Sequence, residues 1–234
     1  MLALDLRRAQ VRRCEAEEIA ILCCPEAILG GLADYSENPA RFAMKSDSEQ
    51  LAAALECIAG DTVPSIVGFT ELASDGALYN AAVILHEGRV AGVYRKLYPA
   101  IRRSVYAAGS QIPVFRTREL TFGVIICNDS NYPEPARQMA AQGARVLFVP
   151  TNNGLPSGRA TPELNAKARQ ADIARATENR TWVVRADVAG SNGELTCYGS
   201  SAIIDPAGNV VRQGEPLTTE MLIANLVLDG NGRR

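Results

Sequence analysis

The chain has 234 residues, 47% of them hydrophobic, with 24 basic residues against 26 acidic ones and a formal charge of -2. Near balance without a dense basic stretch argues against nucleic acid as a partner, and no apolar run approaches the ~18 residues of a membrane span. A single histidine, His86, argues against multi-histidine metal sites and against Ser-His-Asp or Cys-His catalysis.

In chain order, residues 4–18 read as a helix with an imperfect period, and 19–24 as a short buried strand that ends in Pro25-Glu26. A polar loop covers 34–45. Ser46 or Asp47 then caps a helix that runs through Leu51 and Leu55 to Ile58. Residues 64–70 read as a strand. Residues 78–85 and 89–94 form a hairpin around Glu87-Gly88, which puts His86 on an exposed loop and Lys96 just past a strand end. An irregular stretch, 100–111, leads to a short strand at 113–115.

The apolar run Phe122–Ile126 stops at Cys127, followed by the turn formers Asn128, Asp129, Ser130 and Asn131 and by a helix from Pro133 to about Gln142. A thiol at such a corner is lifted out of the sheet among backbone N–H groups, which lower its pKa and can hold an oxyanion. Residues 144–149 form another buried strand, ending at Asn152 and Asn153. A capped helix spans 161–179, strands follow at 181–187 and 198–204, and the latter joins 209–212 through the turn Asp205–Gly208. Residues 221–228 read as the last strand.

The mixture of helices, strands and hairpins predicts an α/β fold with layered sheets covered by helices rather than a purely parallel sheet. Strands repeatedly end in polar or ionisable residues, at Glu26, Lys96, Cys127 and Asn152. Those ends make a site if they share one edge. With the only histidine on a loop, a nucleophilic Cys127 needs a carboxylate or a lysine as its base. The six cysteines, at 14, 23, 24, 57, 127 and 197, form no C-x-x-C pair. That spacing suggests neither a metal site nor a disulfide framework, and the N-terminus carries no signal-peptide pattern, so a reduced cytoplasmic protein is expected.

Three motifs in order resemble the nitrilase, or carbon–nitrogen hydrolase, superfamily: C-P-E-A-I-L-G-G within 19–31, Y-R-K-L-Y-P at 94–99 and G-V-I-I-C-N-D-S-N-Y-P-E at 123–134. Residues 176–179 and 199–208 extend the likeness, which covers about 15 to 228. The resemblance implies an α-β-β-α sandwich as a single domain over 1–234, without the strand that usually precedes the first helix. It implies a catalytic set of Cys127, Glu26 and Lys96 acting on a small amide, N-carbamoyl compound or nitrile through a thioester. No metal or organic cofactor is expected, and the family usually assembles as homodimers or larger homo-oligomers. Asn128, Tyr132, Asn152 and Asn153 are candidates for substrate or oxyanion contacts. The stretch 100–109 lacks the second acid of many members and carries Arg102 and Arg103, which could instead meet an acidic substrate. A non-catalytic scaffold of the same fold and an acyltransferase remain alternatives.

Overall fold

A computed structural model of the chain describes residues 12–56, 63–117, 120–156, 162–191 and 195–228. Two sheets pack face to face. The first has the order β1 (Leu22–Cys23), β2 (Ser65–Leu72), β3 (Leu78–His86), β4 (Arg89–Arg95). The second has six strands: β13 (Val210–Gln213), β12 (Ala202–Ile204), β9 (Trp182–Asp187), β7 (Val146–Thr151), β6 (Leu120–Val124) and β5 (Val114–Thr117). Strands β6, β7 and β9 run parallel, so their C-terminal ends lie at one edge.

The alternation of side chains across each strand builds the layers. On β2 and β3, Ile66, Ala82 and Ile84 face the second sheet and meet Phe122, Val124 and Phe148 in the main core. Their neighbours Val67, Ala81, Val83 and Leu85 face outward onto Leu51 and Leu55 of α2 (Glu49–Leu55). The other outer layer is α3 (Pro133–Ala141) and α4 (Pro162–Asn179), which place Ala136, Met139 and Ala176 on the second sheet. A Cβ at Gly123 would meet the Met139 sulfur at 2.4 Å, so that glycine lets α3 approach the sheet. The result is the expected α-β-β-α sandwich.

Several boundaries differ from the sequence reading. Of the helix expected at 4–18, α1 (12–16) is helical and residues 1–11 lie outside the described residues; the helix ends where Glu18 turns to φ 51°. The ladder in the next segment is confined to Leu22–Cys23, extended by one bond from Cys24 N–H to the Ile66 carbonyl. The cap of α2 is Ser48, whose side chain accepts from Leu51 N–H, rather than Ser46 or Asp47. Residue 58, the expected end of that helix, lies outside the described residues. His86 is the last residue of β3, and the turn is made by Glu87 and Gly88 at φ 51° and 68°.

The strand expected at 198–204 is two strands in two sheets. β11 (Leu195–Tyr198) pairs with β10 (Ala189–Ser191) and β8 (Leu155–Pro156) in a small third sheet that the sequence did not suggest. β12 begins only at Ala202. The break falls where Gly199 adopts φ 79° and Asp187 captures the N–H and hydroxyl of Ser200. Residues 221–228 are not a strand. They line a groove of about 650 Å³ together with β1, the edge of its sheet, and make no ladder with it. Trp182 Nε1 ties the segment to the sheet by donating to the Val227 carbonyl.

Candidate active site

The edge where β6, β7 and β9 end carries a cavity of about 320 Å³ lined by Glu26, Asn80, Lys96, Cys127, Asn152 and Asn153. Cys127 opens a 3-10 turn, Cys127–Asn131, directly after the β6 run. Its backbone sits at φ 47°, a left-handed conformation that a side chain with a Cβ rarely adopts. Such strain persists only where surrounding contacts fix it. Asp129 supplies them. Its buried carboxylate accepts from Ile126 N–H at 3.0 Å, Leu97 N–H at 3.1 Å, Tyr98 N–H at 2.8 Å and the Tyr94 hydroxyl at 2.8 Å. One side chain thus bolts the cysteine corner to the lysine loop. Burial nonetheless raises the Asp129 pKa, against the pull of Lys96 and these bonds.

Glu26 lies at the end of β1, 1% exposed. Its approach depends on Gly68 of β2, where a Cβ would come within 2.4 Å of the Ala27 nitrogen and 2.8 Å of the Glu26 Cα. One carboxylate oxygen accepts from Lys96 Nζ at 2.6 Å and Asn80 Nδ2 at 2.7 Å, and the other accepts from Asn152 N–H at 2.7 Å. Burial works against the Lys96 ammonium, but Glu26, Cys127 and Asp129 outweigh it and hold its pKa above the ordinary value. Lys96 therefore stays charged.

The thiol is the reverse of what the corner suggested. Burial and then the Glu26 carboxylate push Cys127 up from 9.0 to about 12, against the opposing pull of Lys96 and Arg185. The resting group is a neutral S–H, and it donates to Asn153 Oδ1 at 3.6 Å.

The other candidates divide. Asn152 and Asn153 both line the cavity. The Asn152 side-chain oxygen accepts from Gly154 N–H at 3.1 Å, so that side chain also builds its own turn. The Asn128 side chain instead donates to the Tyr98 carbonyl, and Tyr132 stacks on Tyr98 with ring centroids 3.7 Å apart. Neither side chain contributes to the cavity lining. Arg102 and Arg103 are exposed on a turn outside the lining. The cavity wall does contain a further carboxylate, supplied by another loop: Asp34 accepts from Val105 N–H at 2.8 Å and the Ser104 hydroxyl at 3.1 Å.

Behind the wall lie residues the sequence reading passed over. Arg185 of β9 is paired with Asp172 of α4 through Nε and, at 2.7 Å, through Nη2. It also donates to Thr151 Oγ1 at 2.6 Å and Ser130 Oγ at 3.1 Å, and so joins the ends of β6, β7 and β9. Asp187, at the end of β9, holds Asn153 and Ser200. Their sequence signal was available: ionisable residues at alternate positions 185 and 187 of an otherwise apolar strand.

The fold is thus a two-sheet sandwich with a cysteine, a glutamate and a lysine gathered at one edge. The description "carbon-nitrogen hydrolase" fits residues 8–232, and the chain belongs to that family, within the nitrilase superfamily. It is 30% identical over 199 residues to an (R)-stereoselective amidase from a Pseudomonas species, covering 84% of this chain and 69% of that protein. It is 31% identical over 196 residues to a nitrilase from Pyrococcus abyssi, covering 82% and 70%. The fold matches a carbon–nitrogen hydrolase from Helicobacter pylori with a TM-score of 0.80 at 22% identity, covering 91% of this chain and 80% of that one. No helix among the described residues is long and apolar enough to cross a membrane.

Proposed function

We propose that the chain is a thiol amidohydrolase acting on a small amide or N-carbamoyl compound through a cysteine thioester. The observation that carries this reading is the Cys127 side chain sharing one cavity with a buried Glu26–Lys96 pair. Glu26 takes the S–H proton as sulfur attacks the carbonyl carbon and the C–S bond forms. Lys96 and the backbone N–H of Asn128 stabilise the oxyanion. The C–N bond then breaks, and the nitrogen leaves as ammonia or an amine with the proton returned by Glu26. Water attacks the thioester after giving a proton to Glu26, the C–S bond breaks, and that proton restores the thiol. Every proton and charge in these steps is handled by the chain's own groups. Substrate size follows from the cavity, where Leu32, Ile101, Leu155 and Leu164 offer an apolar wall to the rest of a small molecule.

We place the chain in the reducing cytoplasm, where the five described cysteines, none of them in a disulfide, would stay as thiols.

The test is ammonia release from a panel of small amides, carbamoyl amino acids and nitriles, with wild type beside Cys127→Ala. Release from the wild type that disappears in the variant is expected. A folded wild type that releases nothing, or a variant that matches it, overturns the reading and leaves the scaffold alternative.

A further inference from the structure

Asn153 is held from behind. Its Nδ2 donates to Asp187 Oδ2 and to Ser200 Oγ, both at 3.1 Å, and its backbone N–H donates to Asp187 Oδ1 at 3.2 Å. Asp187 is itself fixed, accepting from Ser200 N–H at 2.8 Å and the Ser200 hydroxyl at 2.6 Å. Because that hydroxyl gives its proton to Asp187, its oxygen is left as an acceptor for Asn153. Both protons of Nδ2 therefore have acceptors, which decides the orientation of an amide whose two ends are otherwise alike. The flipped amide would set a carbonyl oxygen against a buried carboxylate. The Asn153 carbonyl oxygen accordingly faces the Cys127 sulfur at 3.6 Å, inside the cavity.

Among the described residues the thiol is the donor to that oxygen, and the reaction takes it away. When the thiol proton passes to Glu26, the S–H no longer points at Oδ1. The substituents of the attacked carbon then lie beside the sulfur, and of these only a nitrogen bearing hydrogen can take the place of the lost donor. An ester oxygen or a nitrile nitrogen has no hydrogen to give, and would leave a half-buried acceptor facing an electron-rich atom.

We propose that Asn153, oriented by Asp187 and Ser200, accepts an N–H of the leaving nitrogen and so selects primary amides and ureido compounds over esters and nitriles. Asn153 touches substrate; Asp187 and Ser200 are positioning residues. The selection rests on the hydrolase reading of Cys127. The bond strengthens as Glu26 protonates the nitrogen and its N–H groups become more acidic, so its loss falls on kcat for the amide more than on KM.

The experiment compares kcat/KM for a primary amide and for the methyl ester of the same acid, in wild type, Asn153→Leu and Asp187→Asn. Asn153→Leu is expected to lower the amide-to-ester ratio about tenfold or more, as the loss of one hydrogen bond to a developing charge implies. Asp187→Asn can donate to Asn153 and let its amide turn, so a smaller fall of about threefold is expected. Both substrates are read on the same folded molecules, so a loss of fold lowers both rates and leaves the ratio alone. An unchanged ratio in Asn153→Leu overturns the proposal. So does a wild type that cleaves the ester and spares the amide, which leaves the thiol chemistry standing. A wild type inert towards both overturns the hydrolase reading and this proposal with it.

Discussion

Among the described residues two ion pairs lie buried in the sandwich, and they differ in what touches them. Glu26–Lys96 borders the cavity, with a neutral thiol beside it. Asp172–Arg185 is sealed behind the wall, each side chain 1% exposed, and Arg185 also donates to Thr151 and Ser130. The burial is nearly the same and the electrostatics are alike. What separates them is access: only the first pair can hand a proton to something that comes and goes. The second joins α4 to the ends of three strands, so its role is to fix where those ends sit. Breaking either pair by halves leaves one charge buried without its partner, which costs about 3–5 kcal/mol. Stability alone therefore cannot tell them apart, whereas replacing both partners can.

The largest expected effect comes from removing the cavity pair whole. Glu26→Leu with Lys96→Met is expected to fold, since the apolar replacement avoids a lone buried charge, and to lose ammonia release by roughly 10⁴-fold or more. Asp172→Leu with Arg185→Met is expected to fold as well and to lose only roughly ten- to a hundredfold, through displaced strand ends. Melting temperature and kcat measured on both doubles separate the roles. Equal inactivity would make the sealed pair part of the chemistry.

A smaller, slower signal is the pH dependence of the thiol. With Cys127 held up at about 12, the thiolate fraction is tiny at neutral pH and grows tenfold per pH unit. Methylthiolation by methyl methanethiosulfonate, in which the thiolate forms a mixed disulfide and methanesulfinate leaves, should climb with pH through 10 without levelling in the absence of substrate. A plateau near pH 8 would mean an ionised resting thiol and would remove Glu26 from the activation step. The linked stability has a definite sign: the folded thiol's pKa lies above the ordinary 9.0, so this contribution is whole below pH 9 and fades as pH rises towards 12.

The smallest effect is expected at Arg102 and Arg103. Both are exposed and outside the cavity lining, so Arg102→Ala and Arg103→Ala should change stability by under about 0.5 kcal/mol and leave KM for acidic amides within about twofold. A tenfold rise in KM would bring the arginine loop into the substrate's reach.

The fold class and the three chemical groups were legible because each leaves a local mark. An apolar run that stops at a thiol, a glutamate after Pro25 and a lysine past a hairpin are all strand ends, and a strand end can be read from a few neighbours. The elements that failed depended on partners far along the chain. Residues 221–228 have the composition of a strand, but a ladder needs an edge to pair with, and this segment lines a groove instead. The run 198–204 looks continuous, yet Asp187 pulls Ser200 out of line and splits it between two sheets.

The site divides in the same way. By itself the sequence determined which groups are present: one corner cysteine, carboxylates and a lysine at strand ends, and no histidine placed to serve. It did not determine their protonation. A corner thiol reads as acidic, because nearby N–H groups favour the anion, but in the folded chain burial and the Glu26 charge outweigh them. Asp129 read as a turn former, and Arg185 and Asp187 drew no reading. Only the tertiary structure turns them into the bolt, the brace and the amide clamp. Desolvation and hydrogen-bond direction depend on what surrounds an atom in space, and those surroundings come from residues as far apart as Glu26, Lys96 and Asn152.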